Sequence, residues 1–91
     1  MAVAVMFTPK SLNRDQYQQI LAKLEAAGAM DQPARSFHAC FGTGDKLRIF
    51  DIWESEDALQ SSRGTTLLPI LAEIGVESGP PEIFPVERIL F

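Results

Sequence analysis

The segment Ser36–Asp57 constrains the fold of this chain more than any other part of the sequence. Alternating apolar and polar residues over Arg35–Phe41 and over Lys46–Glu54 predict two strands. The residues between them, Gly42–Asp45, have the composition of a tight turn, and Ser55 with two acidic residues after it is typical of a helix start. The sequence therefore predicts a β-hairpin that leads directly into a helix.

Two further strands and one further helix flank this hairpin. The apolar segment Met1–Phe7 predicts a strand covered on both faces, and Ile83–Phe91 predicts a last strand. Asn13, with a glutamine three residues later, has the pattern of a capping box and predicts a helix that ends near Gly28. The helix after the hairpin is expected to break at Gly64 and then to resume.

The resulting element order, β-α-β-β-α-β, is the ferredoxin-like arrangement of an α+β protein. It consists of a four-stranded antiparallel sheet with both helices on one face. The chain has 91 residues, which predicts a single domain over 1–91. A domain of this size buries only about 60–65% of its unfolded surface, so association with a second copy would stabilise it.

Charge and composition exclude several classes of partner. The formal net charge is −4 and the Lys and Arg residues are scattered, so we expect neither nucleic acid nor membrane as a partner. A single cysteine cannot form an internal disulfide. The apolar run Met1–Phe7 is too short to cross a bilayer and lacks the features of a signal peptide. Together these features predict a cytoplasmic protein.

Both faces of the predicted sheet are apolar, although two helices can cover only one of them. We expect the uncovered face to carry the apolar residues Leu47, Ile49, Trp53, Ile83 and Ile89. Arg48, Phe50 and Ile52 would then face the helices. Four strands give a face on the order of 400 Å² in projection, and an apolar patch of that size marks an interaction site. The sequence therefore predicts a homodimer formed through the sheet face.

Several segments of the chain resemble the dimeric α/β-barrel superfamily. They are FHACFGTGD, LRIFDIWESEDAL, LLPILAEIG and PPEIFPVERILF. More narrowly, the chain resembles small uncharacterised proteins near the antibiotic-biosynthesis monooxygenase group. The resemblance implies that two ferredoxin-like sheets pack face to face as a dimer. It also implies a small pocket, either between the sheet and the helices or in the barrel lumen.

The chain departs from this family at positions that the resemblance associates with chemistry. Monooxygenases and haem-degrading relatives typically rely on a strand Asn together with Trp or His, whereas the only asparagine here is Asn13, at a helix start. The segment Gln60–Arg63 stands where relatives often carry a His in the second helix. Glu87 stands where they often carry a His in the last strand. These departures favour a binding protein over an enzyme.

His38 and Asp51 are the candidate catalytic residues. If Gly42–Asp45 forms the hairpin loop, His38 lies opposite Ile49, and its side chain meets Asp51 across a diagonal of about 7–8 Å. Asp51 could then orient His38 as a general base near neutral pH. The alternative, which the sequence favours, is a structural histidine whose hydrogen bonding is satisfied by Asp51.

The candidates for contact with a ligand in the barrel are Trp53, Glu87, Cys40 and Ile49. Trp53 could stack on a flat aromatic ligand, although a core or interface position is typical of such a residue. Cys40 lacks a close activating neighbour, so we expect an inert thiol. His38, Asp51 and Glu87 could in principle bind a metal, but their spacing is not diagnostic. We therefore expect neither a metal nor an organic cofactor.

Three hypotheses of function remain open at this level. In the first, the barrel binds a small apolar or aromatic molecule near His38 and Trp53. In the second, the protein is a cofactor-independent monooxygenase or isomerase acting on an aromatic or quinol substrate, with His38 as the base and Asp51 orienting it. In the third, it is a purely structural dimer. The missing strand Asn favours the first hypothesis, and the sequence leaves open whether the protein is an enzyme.

Overall fold

A computed structural model describes residues 1–90 and has the predicted order of elements. The strands are Val3–Phe7 (β1), Arg35–Phe41 (β2), Arg48–Trp53 (β3) and Glu82–Pro85 (β4). The helices are Arg14–Ala26 (α1), Glu56–Ser62 (α2) and Leu68–Ile74 (α3), and a π-helical segment, Arg63–Leu67, joins α2 to α3. The strands form one antiparallel sheet in the order β2-β3-β1-β4, which confirms the ferredoxin-like α+β fold.

The predicted capping box starts α1. The Asn13 side chain accepts a hydrogen bond from the Gln16 backbone N–H at 2.8 Å, and the Gln16 side chain accepts one from the Asn13 N–H at 3.0 Å. Both bonds satisfy backbone donors that the first helical turn cannot satisfy itself. The helix buries Ile20 and turns Tyr17 and Leu24 toward the same core. This stripe fixes α1 against the sheet.

The second helical arm runs from α2 to α3 without a chain break. Ser55 caps α2 by accepting from the Ala58 N–H at 3.1 Å, as predicted. The expected break at Gly64 is instead a π-helical segment, which widens the helix by one residue and keeps the arm continuous. The arm ends at Gly75, whose φ of 87° is left-handed and favours glycine.

The predicted register of the hairpin was wrong by two residues. His38 lies directly opposite Asp51, and Cys40 lies opposite Ile49. The backbone of Leu47 and of Asp45 hydrogen-bonds to Leu12, at 3.1 and 2.9 Å, so the residues before Arg48 pair outside the hairpin and lengthen its loop. A shift of two residues preserves the face on which each side chain lies, and it therefore brings His38 and Asp51 closer than expected.

The predicted assignment of the two sheet faces was inverted. Asp51 and Trp53 face the helices and are each only 4% exposed. Three of the residues expected on the uncovered face, Leu47, Ile49 and Ile83, pack against the helix-side core. The uncovered face instead carries Phe37, Phe41 and Phe84, which are 38–53% exposed, together with the expected helix-facing residues Arg48, Phe50 and Ile52.

The core between the sheet and the helices divides into two clusters. The first buries Val3, Val5, Phe7, Trp53 and Leu59. The second buries Leu12, Ile20, Ile70, Leu71 and Val76. Partly buried Ile49 packs against both clusters, so β3 is the element that connects them.

The last strand is shorter than the predicted Ile83–Phe91. It ends at Pro85, which has no N–H for the sheet ladder, and one further bond joins the Val86 N–H to the Ala2 carbonyl at 3.0 Å. Phe91 lies outside the described residues. Within residues 1–90, no helix is both long and apolar enough to span a bilayer.

Candidate functional site

Four polar or aromatic side chains form a continuous hydrogen-bonded chain on the helix-covered face of the sheet. His38 Nδ1 lies 2.6 Å from Asp51 Oδ1, and His38 Nε2 lies 2.7 Å from the Tyr17 hydroxyl. At the other end, Trp53 Nε1 donates to Asp51 Oδ2 at 3.2 Å. We call these residues the relay.

The fold positions the relay through local features of three elements. Asp51 and Trp53 are two residues apart on β3, so both point to the same face. His38 stands directly opposite Asp51 on β2. Tyr17 belongs to the apolar stripe of α1, and its ring lies nearly parallel to the His38 ring, at 10° and 6.2 Å between centroids. The sheet register and the packing of α1 therefore both fix the position of the His38 side chain.

The donors in the relay follow from the chemistry of its members. An ionised carboxylate only accepts, so we assign the proton of the short contact to His38 Nδ1. His38 Nε2 then accepts from the Tyr17 O–H. Both ring nitrogens are thus engaged with protein groups, and the Tyr17 hydroxyl occupies the basic side of the imidazole. The His38 side chain is 27% exposed, whereas that of Asp51 is 6% exposed.

The surroundings hold the Tyr17 hydroxyl in its protonated form. Burial is the largest cause of a raised pKa for Tyr17. Electrostatic repulsion from Cys40, once its thiol is deprotonated, and from Asp51 raises the pKa further, whereas Arg35 lowers it. Burial likewise raises the pKa of the Cys40 thiol. A protonated thiol is a weak nucleophile, which agrees with the expectation of an inert Cys40.

A cavity of about 130 Å³ lies between the sheet and the helices, and all four relay members line it together with residues of both core clusters. Its apolar lining consists of Phe7, Pro9, Leu12, Ile20, Leu21, Leu24, Ala29, Met30, Ile49, Trp53, Leu59, Leu67, Leu71 and Val76. Its polar lining consists of the relay residues Tyr17, His38 and Asp51, with Gln32, Arg35, Ser62, Arg63, Thr66 and Ser78. A mostly apolar cavity with a few polar groups is typical of small-molecule sites.

The candidate residues from the sequence divide into two groups. His38, Asp51, Trp53 and Ile49 line the cavity. Cys40 follows His38 by two residues on β2 but does not line it. Glu87 is exposed, follows the end of β4 and is absent from the cavity lining, so it does not join His38 and Asp51. Within residues 1–90, no three His, Cys, Asp or Glu side chains are grouped as metal ligands.

Sequence reasoning missed two residues of this cavity. Tyr17 lies on the apolar stripe of α1, a position that is typical of a core residue. Its hydroxyl was the available signal, since a buried tyrosine needs a hydrogen-bond partner. Arg63 was noted only as part of a segment without His. Its side chain reaches the cavity and donates to Ser78 and Gly79.

The sequence and the structure give different results in comparison with known proteins. No protein-family model and no curated protein matches the sequence. Solved structures do match along almost the whole chain. A mutant of SnoaB, a cofactor-independent oxygenase from Streptomyces nogalater, has a TM-score of 0.67 at 17% identity, covering 98% of this chain and 96% of that one.

Two other solved structures show the same relationship. A predicted antibiotic biosynthesis monooxygenase from Caulobacter crescentus CB15 has a TM-score of 0.65 at 18% identity, with 98% and 91% of the two chains covered. Rv0793 from Mycobacterium tuberculosis has a TM-score of 0.61 at 21% identity, with 97% and 98% covered. The chain therefore has the fold of the antibiotic biosynthesis monooxygenases, which confirms the predicted resemblance at the level of the fold.

Proposed function

We propose that the protein binds a small, largely apolar or aromatic molecule in the cavity between the sheet and the helices. The observation that carries this proposal is the relay, which ends at the Tyr17 hydroxyl in a cavity with mostly apolar walls. The volume of about 130 Å³ suits a single aromatic ring, since an engineered apolar cavity of about 150 Å³ binds benzene.

We further propose that the bound molecule is a phenol and that the relay removes its proton. The phenol hands its proton to Tyr17 Oη as Tyr17 hands its own to His38 Nε2. The imidazolium that forms is stabilised by Asp51, with which it already shares a short hydrogen bond. In this proposal His38 is the base, the role that the sequence analysis gave it in the second hypothesis, but it acts through Tyr17 rather than directly on the ligand.

The reaction that fits this chemistry is a monooxygenation without a cofactor. The phenolate supplies the electrons, and molecular oxygen is the oxidant. One oxygen atom enters the ring to give a quinone, and the other leaves as water, so that phenol and O₂ yield quinone and water in balance. The similarity in fold to SnoaB, a cofactor-independent oxygenase, supports this proposal.

A second copy of the chain is the proposed partner of the uncovered sheet face. Phe37, Phe41 and Phe84 are exposed on that face, and Phe50 lies edge-on against Phe37 at 6.1 Å between centroids. Aromatic residues gathered on one sheet face are typical of an association surface. The proposed homodimer therefore uses the face opposite the cavity, and each copy keeps its own relay.

Oxygen consumption with small single-ring phenols tests the proposed function. We expect His38→Gln to lower the rate by about 100- to 10,000-fold, the usual contribution of a positioned acid or base. Cys40→Ser is the matched control, because Cys40 lies on the same strand but not in the cavity. If wild-type protein binds phenols but takes up no oxygen, the binding proposal is supported and the oxygenase proposal is contradicted. No binding at all would contradict both proposals.

A further inference from the structure

The cavity contains a second polar group that the relay does not use. Arg63, the first residue of the π-helical segment, lines the cavity. Its Nη2 donates to the Ser78 hydroxyl at 3.2 Å and to the Gly79 carbonyl at 3.1 Å. These two bonds account for both hydrogens of Nη2 and fix the plane of the guanidinium.

The Nε–H of Arg63 has no such partner. This nitrogen is buried, and no acceptor within residues 1–90 lies in hydrogen-bond range. A buried donor without an acceptor is costly, the more so when it carries charge, so such a group in a native fold calls for an explanation. The cavity that Arg63 lines is a place from which an acceptor could come.

The neighbouring residues make this part of the lining polar. Ser62, Thr66 and Ser78 line the same cavity, and Ser62 and Thr66 come from the helical arm that carries Arg63. The π-helical segment changes the direction of side chains along that arm, and π-bulges are frequent at functional sites. The helical arm thus contributes a cation and hydroxyl groups to a cavity that is otherwise mostly apolar.

We propose that Arg63 is a specificity residue that selects a small aromatic ligand with an anionic oxygen, of which a carboxylate is the simplest form. One ligand oxygen accepts from the Arg63 Nε–H while the ring occupies the apolar part of the cavity. A charge-assisted hydrogen bond of this kind favours an anion over a neutral molecule of the same shape. This inference rests on the proposed function only in placing the ligand in this cavity, and it does not require turnover.

Arg35 is the competing cation, because it also lines the cavity. Its Nη2 donates to the Met30 carbonyl at 3.1 Å, and its guanidinium lies 5.9 Å from the centre of the Trp53 ring. Arg35 is therefore already engaged by the protein, whereas Arg63 retains a buried free donor. This difference assigns the anion to Arg63.

Calorimetric titration with benzoate and with benzamide tests the proposal. The two probes have nearly the same shape, and only benzoate is charged. We expect wild-type protein to bind benzoate about tenfold or more tightly than benzamide, and Arg63→Met to reduce that ratio to about one. Arg35→Met, and Arg48→Met on the uncovered face, remove the same charge and should preserve the ratio. Ser78→Ala removes one of the two acceptors that hold Arg63 Nη2 but keeps the charge, so it should lower the ratio of benzoate to benzamide affinity only partly. This variant replaces Arg63→Met in the test if Arg63→Met does not fold.

Several results would overturn the assignment. They are equal binding of the two probes by wild-type protein, a ratio that survives in Arg63→Met, loss of the ratio in Arg35→Met, and no saturable binding of benzoate. The oxygenase proposal is tested separately, because calorimetry does not depend on turnover. Selective benzoate binding without oxygen uptake would retain the role of Arg63 and reject the oxygenase. Oxygen uptake with phenols by a wild-type protein that binds benzoate and benzamide equally would retain the oxygenase and reject the role of Arg63.

Discussion

The two faces of the same sheet differ in the kind of chemistry they carry. On the helix-covered face, Asp51, His38 and Trp53 are joined by hydrogen bonds and border a cavity. On the uncovered face, the alternate residues of the same strands include the exposed Phe37 and Phe41, and Phe50. Because successive strand residues point to opposite faces, one short segment can serve a ligand site and an association surface at once.

This difference implies that the two faces can be disabled separately. A substitution in the relay should change proton transfer and stability while leaving association intact. A substitution among the exposed phenylalanines should change association while leaving the cavity intact. The following predictions test that separation.

Asp51→Ala should produce the largest loss of stability. It leaves His38 Nδ1 and Trp53 Nε1 without an acceptor, and each unsatisfied donor costs about 1–3 kcal/mol. We expect the free energy of unfolding to fall by about 2–4 kcal/mol in denaturant titrations. Asp45→Ala, an exposed loop position, is the control and should change it by less than about 0.5 kcal/mol. A small effect of Asp51→Ala would mean that the relay is not a stabilising network.

Phe84→Glu should separate the dimer and leave the cavity unchanged. Phe84 is the most exposed of the phenylalanines on the uncovered face, and a carboxylate there would be buried without a partner in the proposed interface. We expect the dimer dissociation constant to rise by about 30-fold or more in light-scattering chromatography. Gln18→Glu adds the same charge at an exposed position of α1 and should leave the dimer intact. If Phe84→Glu stays dimeric, association uses another surface.

Stability should fall at alkaline pH because of Tyr17. Its pKa is raised in the folded protein by burial, so above about pH 10 the unfolded chain loses the phenol proton while the folded chain keeps it. The contribution of protonated Tyr17 to the free energy of unfolding is therefore complete below the ordinary phenol pKa. It is lost as pH rises through the pKa of the folded protein, at up to about 1.4 kcal/mol per pH unit. Tyr17→Phe should remove this part of the decrease in the free energy of unfolding with pH.

The tyrosinate absorbance provides a direct check on that linkage. Tyr17 is the only tyrosine of the chain, so the ultraviolet titration reports a single group. We expect its midpoint to lie higher in the folded protein than in denaturant. Equal midpoints in the two states would contradict a buried, relay-bound hydroxyl.

Gly64→Ala should have the smallest effect, and it should be stabilising. The position that a methyl group would occupy is open, and the backbone there is compatible with other residues. We expect a gain of about 0.5–1 kcal/mol from the lower entropy of the unfolded chain. Gly75→Ala is the contrast, because its left-handed φ of 87° should make the same change destabilising. A loss of stability in Gly64→Ala would mean that the π-helical segment needs glycine.

The features that sequence could predict are those set by local chemistry. The cap at Asn13 and the cap at Ser55 depend on residues within one helical turn, and both were confirmed. The order of elements followed from them and from the hydrophobic patterns. Which face of the sheet the helices cover did not follow, because β3 is apolar on both of its faces and alternation alone is symmetric.

The candidate site could be predicted only in part, because some of its contacts are local in sequence and others are tertiary. Alternation correctly grouped Asp51, Trp53 and His38 on one face, and the family resemblance drew attention to them. The direct pairing of His38 with Asp51 depends on Leu47 bonding to Leu12, which is a tertiary contact. The role of Tyr17 depends on how α1 packs against the sheet. No pattern within the sequence encodes either contact.

Magnetic resonance of the single imidazole tests the central proposal most directly. His38 is the only histidine, so isotope-labelled histidine reports its two ring nitrogens without ambiguity. We predict an Nδ1-protonated tautomer and a saturable change in the Nε2 signal when a small phenol is added, because the ligand engages Tyr17, which binds Nε2. An imidazole that stays unchanged at saturating phenol would contradict the proposal, and would limit His38 to a structural role.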